Sequence, residues 1–325
     1  MQPSSLPVPT FLVPGDIQIV TCICTRHGGG RRCAPGRSDA GGEGCFGRYC
    51  RGRGHRRLRG GHRSRVARLS PAPTKVSKLF LGTNTPFPPF ESRNATSDQL
   101  EGFDIEMIQT IVHRGWGYTE CSDTVTNLCY EWNDFRDFSA LLAAVSVGRM
   151  DIAVGAITMN GDVGAERNKS MDFSNSYYLS NQGILKRAND NTAYCAAAVC
   201  TVAELNTTTL IIGAQAITTS EFWVEDNLKN VVSAKHLELR PTVEDVLLLL
   251  SQGVVNIVVI DLPAAQGIAA ANPTAYAVGG EILTNELYAF AVANGDPLGL
   301  VPVINAQLAA MKADGTYNTI LNKWF

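Results

Sequence analysis

The sequence predicts an α/β protein with two related lobes and a cleft between them, preceded by a basic leader. The chain has 325 residues, which is too many for one ordinary core. Strand and helix patterns alternate from residue 76 onward, which is typical of a mostly parallel sheet covered by helices. The same order of elements occurs twice along the chain, so we expect two lobes of similar construction.

The leader differs in composition from the rest of the chain. Residues 1–74 contain 13 Arg, no Lys and three acidic residues, whereas the remainder carries 15 basic and 27 acidic residues. Residues 1–75 have no hydrophobic period and cannot bury enough apolar surface to fold, so we expect a disordered or spurious leader. The alternative, an Arg/Gly-rich tail that binds nucleic acid, is disfavoured because stacking aromatic residues are scarce. The apolar stretch at Thr10–Cys24 is interrupted by Pro14–Asp16, which makes it a poor export signal.

Four elements are predicted in the first half of the alternating region. The isoleucines of its first helix follow helical spacing, and Asp104 in the first turn suits the helix dipole. Gly148 is the expected C-cap of the second helix. In chain order the elements are a strand at Lys78–Gly82, helices at Phe103–Arg114 and Ser139–Gly148, and a strand at Asp151–Ala156.

The second half repeats this order. Its first helix begins at a hydroxyl N-cap with Glu221 close behind, and the β-branched run that follows predicts a buried strand. The elements are a strand at Leu210–Gly213, helices at Thr219–Asn230 and Pro241–Gly253, strands at Val254–Ile260 and Tyr288–Ala293, and a helix at Val301–Met311 before a last helix that ends near Phe325. Ligands of such folds bind beyond the carboxyl ends of the strands.

Cysteine usage favours an oxidising compartment. Four of the nine cysteines lie outside the leader, in the local pairs Cys121/Cys129 and Cys195/Cys200. Paired cysteines in loops favour disulfides, although free thiols remain the alternative; the spacings match no usual zinc finger. No run of about 18 apolar residues predicts a membrane span. The sequence has no catalytic, cofactor or metal motif, so neither a cofactor nor a metal is expected.

An anion site is indicated by the turn Gly155–Thr158 and by Arg167 beyond it. A turn supplies backbone N–H groups, Thr158 supplies a hydroxyl and Arg167 supplies a guanidinium, and together these suit a carboxylate. The alternative for Arg167 is a surface salt bridge with the adjacent Glu166.

The complementary charge is expected from Asp261, which ends a buried strand and would suit an ammonium group. Its alternative role is the N-cap of a helix that starts at Pro263. Thr218 and Thr219 lie where a helix begins and can meet a carboxylate, although capping alone would explain one of them.

Three further residues are candidates for the ligand side chain. Phe87 and Phe138 are candidate aromatic walls, with core packing as the alternative, and Asn84 follows the first strand and can contact a polar side chain.

Six motifs then point to a known family. They are Gly82–Glu91 (GTNTPFPPFE), Gly102–Ile105 (GFDI), Asp137–Leu142 (DFSALL), Asp151–Thr158 (DIAVGAIT), Met171–Tyr178 (MDFSNSYY) and Asp314–Phe325 (DGTYNTILNKWF). In this order they resemble the polar amino-acid branch of the type II periplasmic solute-binding proteins, most like the glutamine- and histidine-binding members that serve ABC transporters. The resemblance covers about residues 76–325.

The resemblance implies two Rossmann-like α/β lobes joined by a two-segment hinge. Lobe 1 would comprise residues 76–186 and 287–325, and lobe 2 residues 187–286. The chain would cross between them near Leu185–Asn189 and Asn285–Tyr288, and a ligand that touches both lobes would close the cleft.

The resemblance also implies roles for the candidate residues. The α-carboxylate would be held by Arg167, Thr158, Thr219 and the turn at Gly155 and Ala156, and the α-ammonium by Asp261. Phe87 and Phe138 would sandwich the side chain. Asn84 replaces an Asp that is frequent in relatives, which disfavours cationic ligands and favours a glutamine-like polar amino acid.

Two departures from the family pattern put parts of this site in question. About four extra residues around Gly161–Gly164 could displace Arg167, and Ile217 replaces a usual Gly and could crowd the ligand.

The expected function is binding of an α-amino acid outside the cytoplasm, in the periplasm or extracellular space. A monomeric binding protein without enzymatic activity would deliver it to the membrane subunits of an ABC importer or to a sensor. One alternative is an enzyme like cyclohexadienyl dehydratase on the same fold, but no acid follows Asp261 in Leu262–Ala265, where those enzymes carry one. Another alternative is a sensor domain related to ionotropic glutamate receptors.

Overall fold

The computed structural model describes residues 75–325, so the predictions for the basic leader lie outside the described residues. Within this range the strands are β1 Lys78–Thr83, β2 Ser92–Arg93, β3 Leu100–Glu101, β4 Thr119–Glu120, β5 Cys129–Asp134, β6 Ile152–Thr158, β7 Met171–Phe173, β8 Tyr178–Arg187, β9 Ile212–Gln215, β10 Leu237–Arg240, β11 Ile257–Asp261 and β12 Tyr276–Ala293.

The helices of the described residues alternate with these strands. They are α1 Phe103–Trp116, α2 Phe138–Ser146, α3 Gly161–Arg167, α4 Val202–Leu205, α5 Thr219–Asn227, α6 Lys229–Ser233, α7 Val243–Ser251, α8 Leu262–Ala271, α9 Leu300–Asp314 and α10 Thr316–Trp324. None of them is long and apolar enough to cross a membrane.

One mixed sheet organises the molecule. Its strand order is β10-β9-β11-β8-β12-β6-β1-β5-β4, and β7 pairs with β12. The strands β10, β9 and β11 on one side of the sheet are parallel to one another, and so are β6, β1, β5 and β4 on the other side. The two central strands, β8 and β12, are antiparallel to their neighbours. The α/β class is therefore confirmed, but the sheet is mixed rather than mostly parallel because two long strands cross its middle.

These two central strands are the part of the fold that the sequence patterns missed. β8 was not predicted, and only the end of β12 was. β12 carries Gly279, Gly280, Asn285 and Glu286, residue types that are depleted in strands, so its pattern does not indicate a strand. Its pairing with β8 shifts register between Ile282 and Glu286, which places polar side chains at the centre of the sheet.

Helix α1 shows how the apolar pattern sets the packing. Ile105, Ile108 and Ile111 are fully buried in a core that also contains strands β1, β6 and β12. A second core surrounds β9 and β11 and includes Val224 of α5. The predicted helix at Thr219–Asn230 is in fact two helices, because Leu228 leaves the helical conformation between α5 and α6.

Both predicted cysteine pairs are disulfides in the structure. The Cα atoms are 5.0 Å apart in Cys121–Cys129 and 4.9 Å apart in Cys195–Cys200. The first closes the loop between β4 and β5. The second packs against Gly280 of β12.

The turn before α1 depends on a glycine. Gly102 has φ +132°, and a Cβ there would overlap the carbonyl oxygen of Phe90. We expect Gly102→Ala to lower the free energy of unfolding by about 2–4 kcal/mol, because it combines a Gly-only backbone conformation with a clash against the main chain. Urea denaturation of the full chain measures this loss.

Gly148 provides the matched control. It also has a positive φ, +71°, but a Cβ there would meet no atom within 4 Å. Gly148→Ala should therefore cost only about 1 kcal/mol. Equal losses for the two variants would contradict the packing described for Gly102.

Candidate ligand-binding site

A pocket at the centre of the sheet brings together all ten residues that the sequence predicted. We call it the central pocket. It is lined by Asn84, Phe87, Glu91, Phe138, Gly155, Ala156, Thr158, Arg167, Gln215, Thr218, Thr219, Ser220, Val243, Val246, Val258, Val259, Ile260 and Asp261. These residues come from strands, helices and loops on both sides of β8 and β12.

Arg167 is the buried cation of the central pocket. It is 8% exposed, and its Nη1 donates to the carbonyl oxygen of Thr158 at 3.0 Å. Its guanidinium carbon lies 5.3 Å from the ring centre of Phe138, a cation–π contact. No carboxylate of the described residues forms an ion pair with Arg167. The surface salt-bridge alternative is therefore wrong: Glu166 pairs with Lys169 instead.

The guanidinium keeps its charge despite this burial. Desolvation lowers the pKa of Arg167 to about 10, and the nearby carboxyls of Glu286 and Asp261 oppose that decrease. Even the lowered pKa leaves the side chain cationic at neutral pH. A buried cation without an ion-pair partner is costly, and an anion in the pocket would remove that cost.

The inserted residues before Arg167 do not move it out of the pocket. They form α3, in which Gly164 packs directly on the main chain of Met159. The guanidinium reaches back to Thr158 from the end of this helix.

Ile217 lies outside the lining of the central pocket. It is 43% exposed and has φ +64°, and its carbonyl oxygen accepts from Arg167 Nη2 at 3.4 Å. Its side chain faces a surface groove between α2, α3 and α5. The expected crowding by an isoleucine in place of glycine therefore does not arise from its side chain.

Asp261 is the buried acid of the pocket. It is the last residue of β11, and its two carboxyl oxygens accept from Gln182 Nε2 and from the Tyr288 hydroxyl. Asp261 occupies the N-cap position of α8, as the alternative expected, but its side chain makes no capping hydrogen bond and is held by Gln182 and Tyr288 instead. Burial and the charge of Glu286 raise the pKa of Asp261 to about 8. The carboxyl is therefore poised to ionise when a cation reaches it.

A hydrogen-bond network connects this acid to the threonine at the end of β6. The Thr158 hydroxyl donates to Glu286 Oε2 at 2.7 Å, and Gln182 Nε2 donates to Glu286 Oε1 at 2.7 Å. Because the hydroxyl proton of Thr158 is used in this way, the hydroxyl oxygen can act toward a ligand only as an acceptor.

Two threonines at the start of α5, Thr218 and Thr219, have different roles. Thr218 is the N-cap: its hydroxyl accepts from the Glu221 N–H and donates to the Gln215 carbonyl. Thr219 and Ser220 form the first turn, where the backbone N–H groups have no partner within the helix. A helix N-terminus that opens into a pocket suits an anion.

Gly155 and Ala156 lie inside β6 rather than in the predicted turn, and their contribution also differs from the prediction. Ala156 has φ +47°, and its N–H donates to Asp104 Oδ2 at 2.9 Å. This N–H is therefore engaged with a protein carboxyl rather than directed at an anion in the pocket.

The remaining wall combines two aromatic rings with two amides. Phe87 is half-buried, and Phe138 is 8% exposed and belongs to a core cluster as well as to the pocket. Asn84 donates from its Nδ2 to two backbone carbonyls and accepts from Gln215 Nε2 at 3.3 Å. Gln215 also donates to the Pro241 carbonyl, which leaves its Oε1 as a neutral acceptor at this end of the pocket.

Five residues in or beside the site were missed by the sequence patterns. They are Glu91, Gln182, Gln215, Glu286 and Tyr288. Polar residues inside otherwise buried strands were the available signal for Gln182, Gln215 and Glu286. Glu91 lay within a family motif, but nothing in the motif showed that it is buried.

The chain belongs to the bacterial extracellular solute-binding proteins, family 3, whose model matches residues 79–325. This confirms the resemblance drawn from the six motifs, and the family description agrees with the predicted location outside the cytoplasm. No cluster of metal-ligating residues occurs in the part of the chain that the structure describes.

Individual relatives are similar to the chain at a modest level. The L-cystine-binding protein of Escherichia coli (strain K12) is 26% identical over 249 residues, which covers 76% of this chain and 82% of the relative. A solved structure of an ancestral arginine-binding protein bound to glutamine has a TM-score of 0.63 and 27% identity, covering 78% of this chain and 99% of the other. An ancestral amino-acid-binding protein that preceded cyclohexadienyl dehydratase has a TM-score of 0.60 and 25% identity, covering 77% and 95%. Other matched proteins are named as arginine- and glutamine-binding proteins of ABC transporters.

The two threonines of α5 can be distinguished by stability. We expect Thr218→Ala to lower the free energy of unfolding by about 1 kcal/mol, because it removes the N-cap of α5. Thr219→Ala should change it by less than about 0.5 kcal/mol, because Thr219 has only a 3.3 Å contact with Gln182. Urea denaturation of both variants without ligand measures the difference, and a larger loss for Thr219→Ala would show that the cap is misassigned.

Proposed function

We propose that the chain binds one α-amino acid in the central pocket and delivers it to the membrane subunits of an ABC importer. The single observation that carries this proposal is that one buried pocket contains both the cation Arg167, which has no ion-pair partner in the part of the chain that the structure describes, and the acid Asp261. A zwitterion is the small molecule that satisfies both. Family membership and the named activities of the matched relatives support the same function.

The α-carboxylate is assigned to the side of the pocket that contains Arg167 and the first turn of α5. Arg167 offers its guanidinium, Thr219 and Ser220 offer backbone N–H groups, and Thr219 also offers its hydroxyl, whereas the Ser220 hydroxyl donates to Gln182 Oε1. A bidentate guanidinium contact joined to a helix N-terminus is a strong arrangement for a carboxylate.

The α-ammonium is assigned to Asp261 and Thr158. Asp261 supplies the charge, and Thr158 supplies a lone pair because its own proton is held by Glu286. Thr158 is thus an acceptor for the ammonium rather than a donor to the carboxylate, which revises the role that the family resemblance implied.

The ligand side chain is assigned to the space between Phe87 and Phe138. At its end Asn84 and Gln215 present neutral amide groups, with Gln215 Oε1 open to a donor. Neutral acceptors favour a side chain that donates without a full charge, so a glutamine-like polar amino acid is the preferred ligand.

The two lobes are proposed with the boundaries given by the family resemblance. β8 and β12 are the two strands that connect the β10-β9-β11 side of the sheet to the β6-β1-β5 side. A ligand held by Arg167 and Asp261 would bridge these sides and favour a closed state. We propose that the protein acts as a monomer, because one chain supplies the whole pocket.

A dehydratase-like enzyme is the alternative function. The similarity to the ancestral protein that preceded cyclohexadienyl dehydratase is the observation in its favour. Against it, α8 begins Leu262-Pro263-Ala264-Ala265 after Asp261 and carries no acid there. Recovery of the bound ligand unchanged after prolonged incubation supports binding, and its conversion supports the enzyme.

The proposal is tested by a thermal-shift scan of the full chain against the twenty amino acids, followed by calorimetry of those that raise Tm. A ligand at about 1,000 times its Kd stabilises by roughly 4 kcal/mol, which corresponds to several degrees. A shift with one or a few polar amino acids is expected. A well-folded sample with no shift for any amino acid would overturn the proposal.

Arg167 should be indispensable for affinity. We expect Arg167→Met to raise the Kd of the amino acid at least about 30-fold, since it leaves the ligand carboxylate without its buried cation. Arg149→Met is the matched control, because Arg149 is exposed and outside the pocket. Calorimetry of both variants gives the result, and unchanged affinity in Arg167→Met would place the carboxylate elsewhere.

Binding should release a proton from Asp261. In the empty pocket its pKa is about 8, so the group is largely protonated at neutral pH, and the ligand ammonium favours the ionised form. Affinity should therefore fall by up to about tenfold for each unit that the pH is lowered below 8.

Calorimetry in buffers of different ionisation enthalpy counts the released protons at pH 7. We expect about one proton for the wild type and none for Asp261→Asn. The same proton release in both would assign the proton to another group.

A further inference from the structure

Two buried carboxyls beneath the central pocket have no assigned role. Glu91 is 2% exposed and lines the pocket, and Asp104 is fully buried at the start of α1. Their backbones are joined, because the Asp104 N–H donates to the carbonyl of Phe90, the residue before Glu91, at 2.9 Å. The two acids are therefore held beside each other by the turn before α1.

Each carboxyl leaves one buried oxygen without a partner. Asp104 Oδ2 accepts from the Ala156 N–H and from the Tyr177 hydroxyl, whereas no described residue donates to Asp104 Oδ1. Glu91 Oε2 likewise has no partner among the described residues. Buried polar atoms without a partner are rare and costly, so the arrangement calls for one additional donor.

The two acids contact adjacent residues within β6, near its end. Glu91 Oε1 lies 3.5 Å from where a Cβ on Gly155 would be, and Asp104 holds the N–H of Ala156. Ala156 keeps φ +47°, which is unfavourable for a residue with a side chain, so an external contact must maintain it. The pair is thus positioned to fix the shape of the pocket floor.

The surroundings of the pair contain an excess of negative charge. Burial, and then the charges of Asp104, Asp261 and Asp134, raise the pKa of Glu91 well above its ordinary value. Burial raises the pKa of Asp104 to about 7, opposed by its bonds from Tyr177 and Ala156. The other charged groups of the pocket are Arg167 of α3 and Glu286 of β12. Two neighbouring carboxyls in such a setting do not both ionise at neutral pH.

We propose that Glu91 and Asp104 share one proton, which bridges their two unpartnered oxygens and keeps the strand backbone at Ala156 in its ligand-binding shape. The pair acts through Ala156 and consists of positioning residues. Its relevance to ligands rests on the proposed function, but the shared proton is a property of the empty protein.

The proton makes stability depend on pH in a defined direction. Both carboxyls have pKa values that are higher in the folded chain than in the unfolded chain. The folded chain therefore binds more protons than the unfolded chain at pH values between the ordinary carboxyl pKa, which is 4.5 for Glu91, and the raised pKa of the pair. Stability conferred by the proton is present at low pH and is lost as the pH rises through this window.

The test is urea denaturation of the ligand-free full chain between pH 5 and pH 8, comparing wild type with Glu91→Gln. The amide that replaces the Glu91 carboxyl donates to Asp104 at every pH. Folding of the variant should therefore take up one proton fewer than folding of the wild type. As the pH rises, the ratio of the variant's folding equilibrium constant to that of the wild type should increase by up to about tenfold per pH unit. Glu244→Gln, the same change at an exposed position of α7, should follow the wild type.

A second variant and a second readout keep the proposal falsifiable. Asp104→Asn retains an oxygen that accepts from the Ala156 N–H and gains an N–H donor toward Glu91. Its free energy of unfolding should therefore depend less steeply on pH than that of the wild type, as for Glu91→Gln. The infrared carbonyl band of a protonated carboxyl at pH 7 should be present in wild type and weaker in Glu91→Gln and Asp104→Asn. The proposal of a shared proton would be overturned if the free energy of unfolding of both variants had the same pH dependence as that of the wild type. An unchanged infrared band of the protonated carboxyl would overturn it as well.

The outcome is independent of the ligand assignment. A reduced slope in a protein that binds no amino acid would support the proton pair and reject the proposed function.

Discussion

The arrangement of the central pocket depends on one buried cation, Arg167, that has no ionic partner among residues 75–325. Arg167 is held by the Thr158 and Ile217 carbonyls and by the ring of Phe138, all of which orient the guanidinium without neutralising it. Such a group is stable in the interior only while carbonyl dipoles and more distant acids compensate its lost hydration. The proposed role of this cation is to receive the carboxylate of the ligand, together with the N-terminus of α5.

The pocket and its surroundings contain more acidic groups than cations. Hydrogen bonds stabilise these acids, and protonation removes part of their negative charge. Asp261 is held by Gln182 and Tyr288, while Glu286 is held by Thr158 and Gln182. Most of these partners lie on β8 and β12, the two strands that cross the centre of the sheet. The same strands therefore supply both the connection between the two sides of the molecule and the polar network that sets the charge of the site.

The sequence predicted those parts of the molecule whose signals are local. Helix α1 and strand β11 were found because apolar spacing and β-branched runs reflect burial of one element. β8 and most of β12 were missed because their glycines and polar residues serve a distant site rather than a strand pattern. For the same reason Arg167 and Asp261 were identified from their positions after strands, whereas Glu91 and Gln182 required the tertiary structure that buries them.

The most direct measurement of the central claim is calorimetry of the full chain with the amino acid that binds best and with its α-amide. The two ligands share a side chain and an ammonium group and differ in the carboxylate that Arg167 is proposed to neutralise. The account predicts that the amide binds about 100-fold more weakly or not measurably. Equal affinity for the two would contradict the assignment of Arg167 and would show that the buried cation serves another purpose.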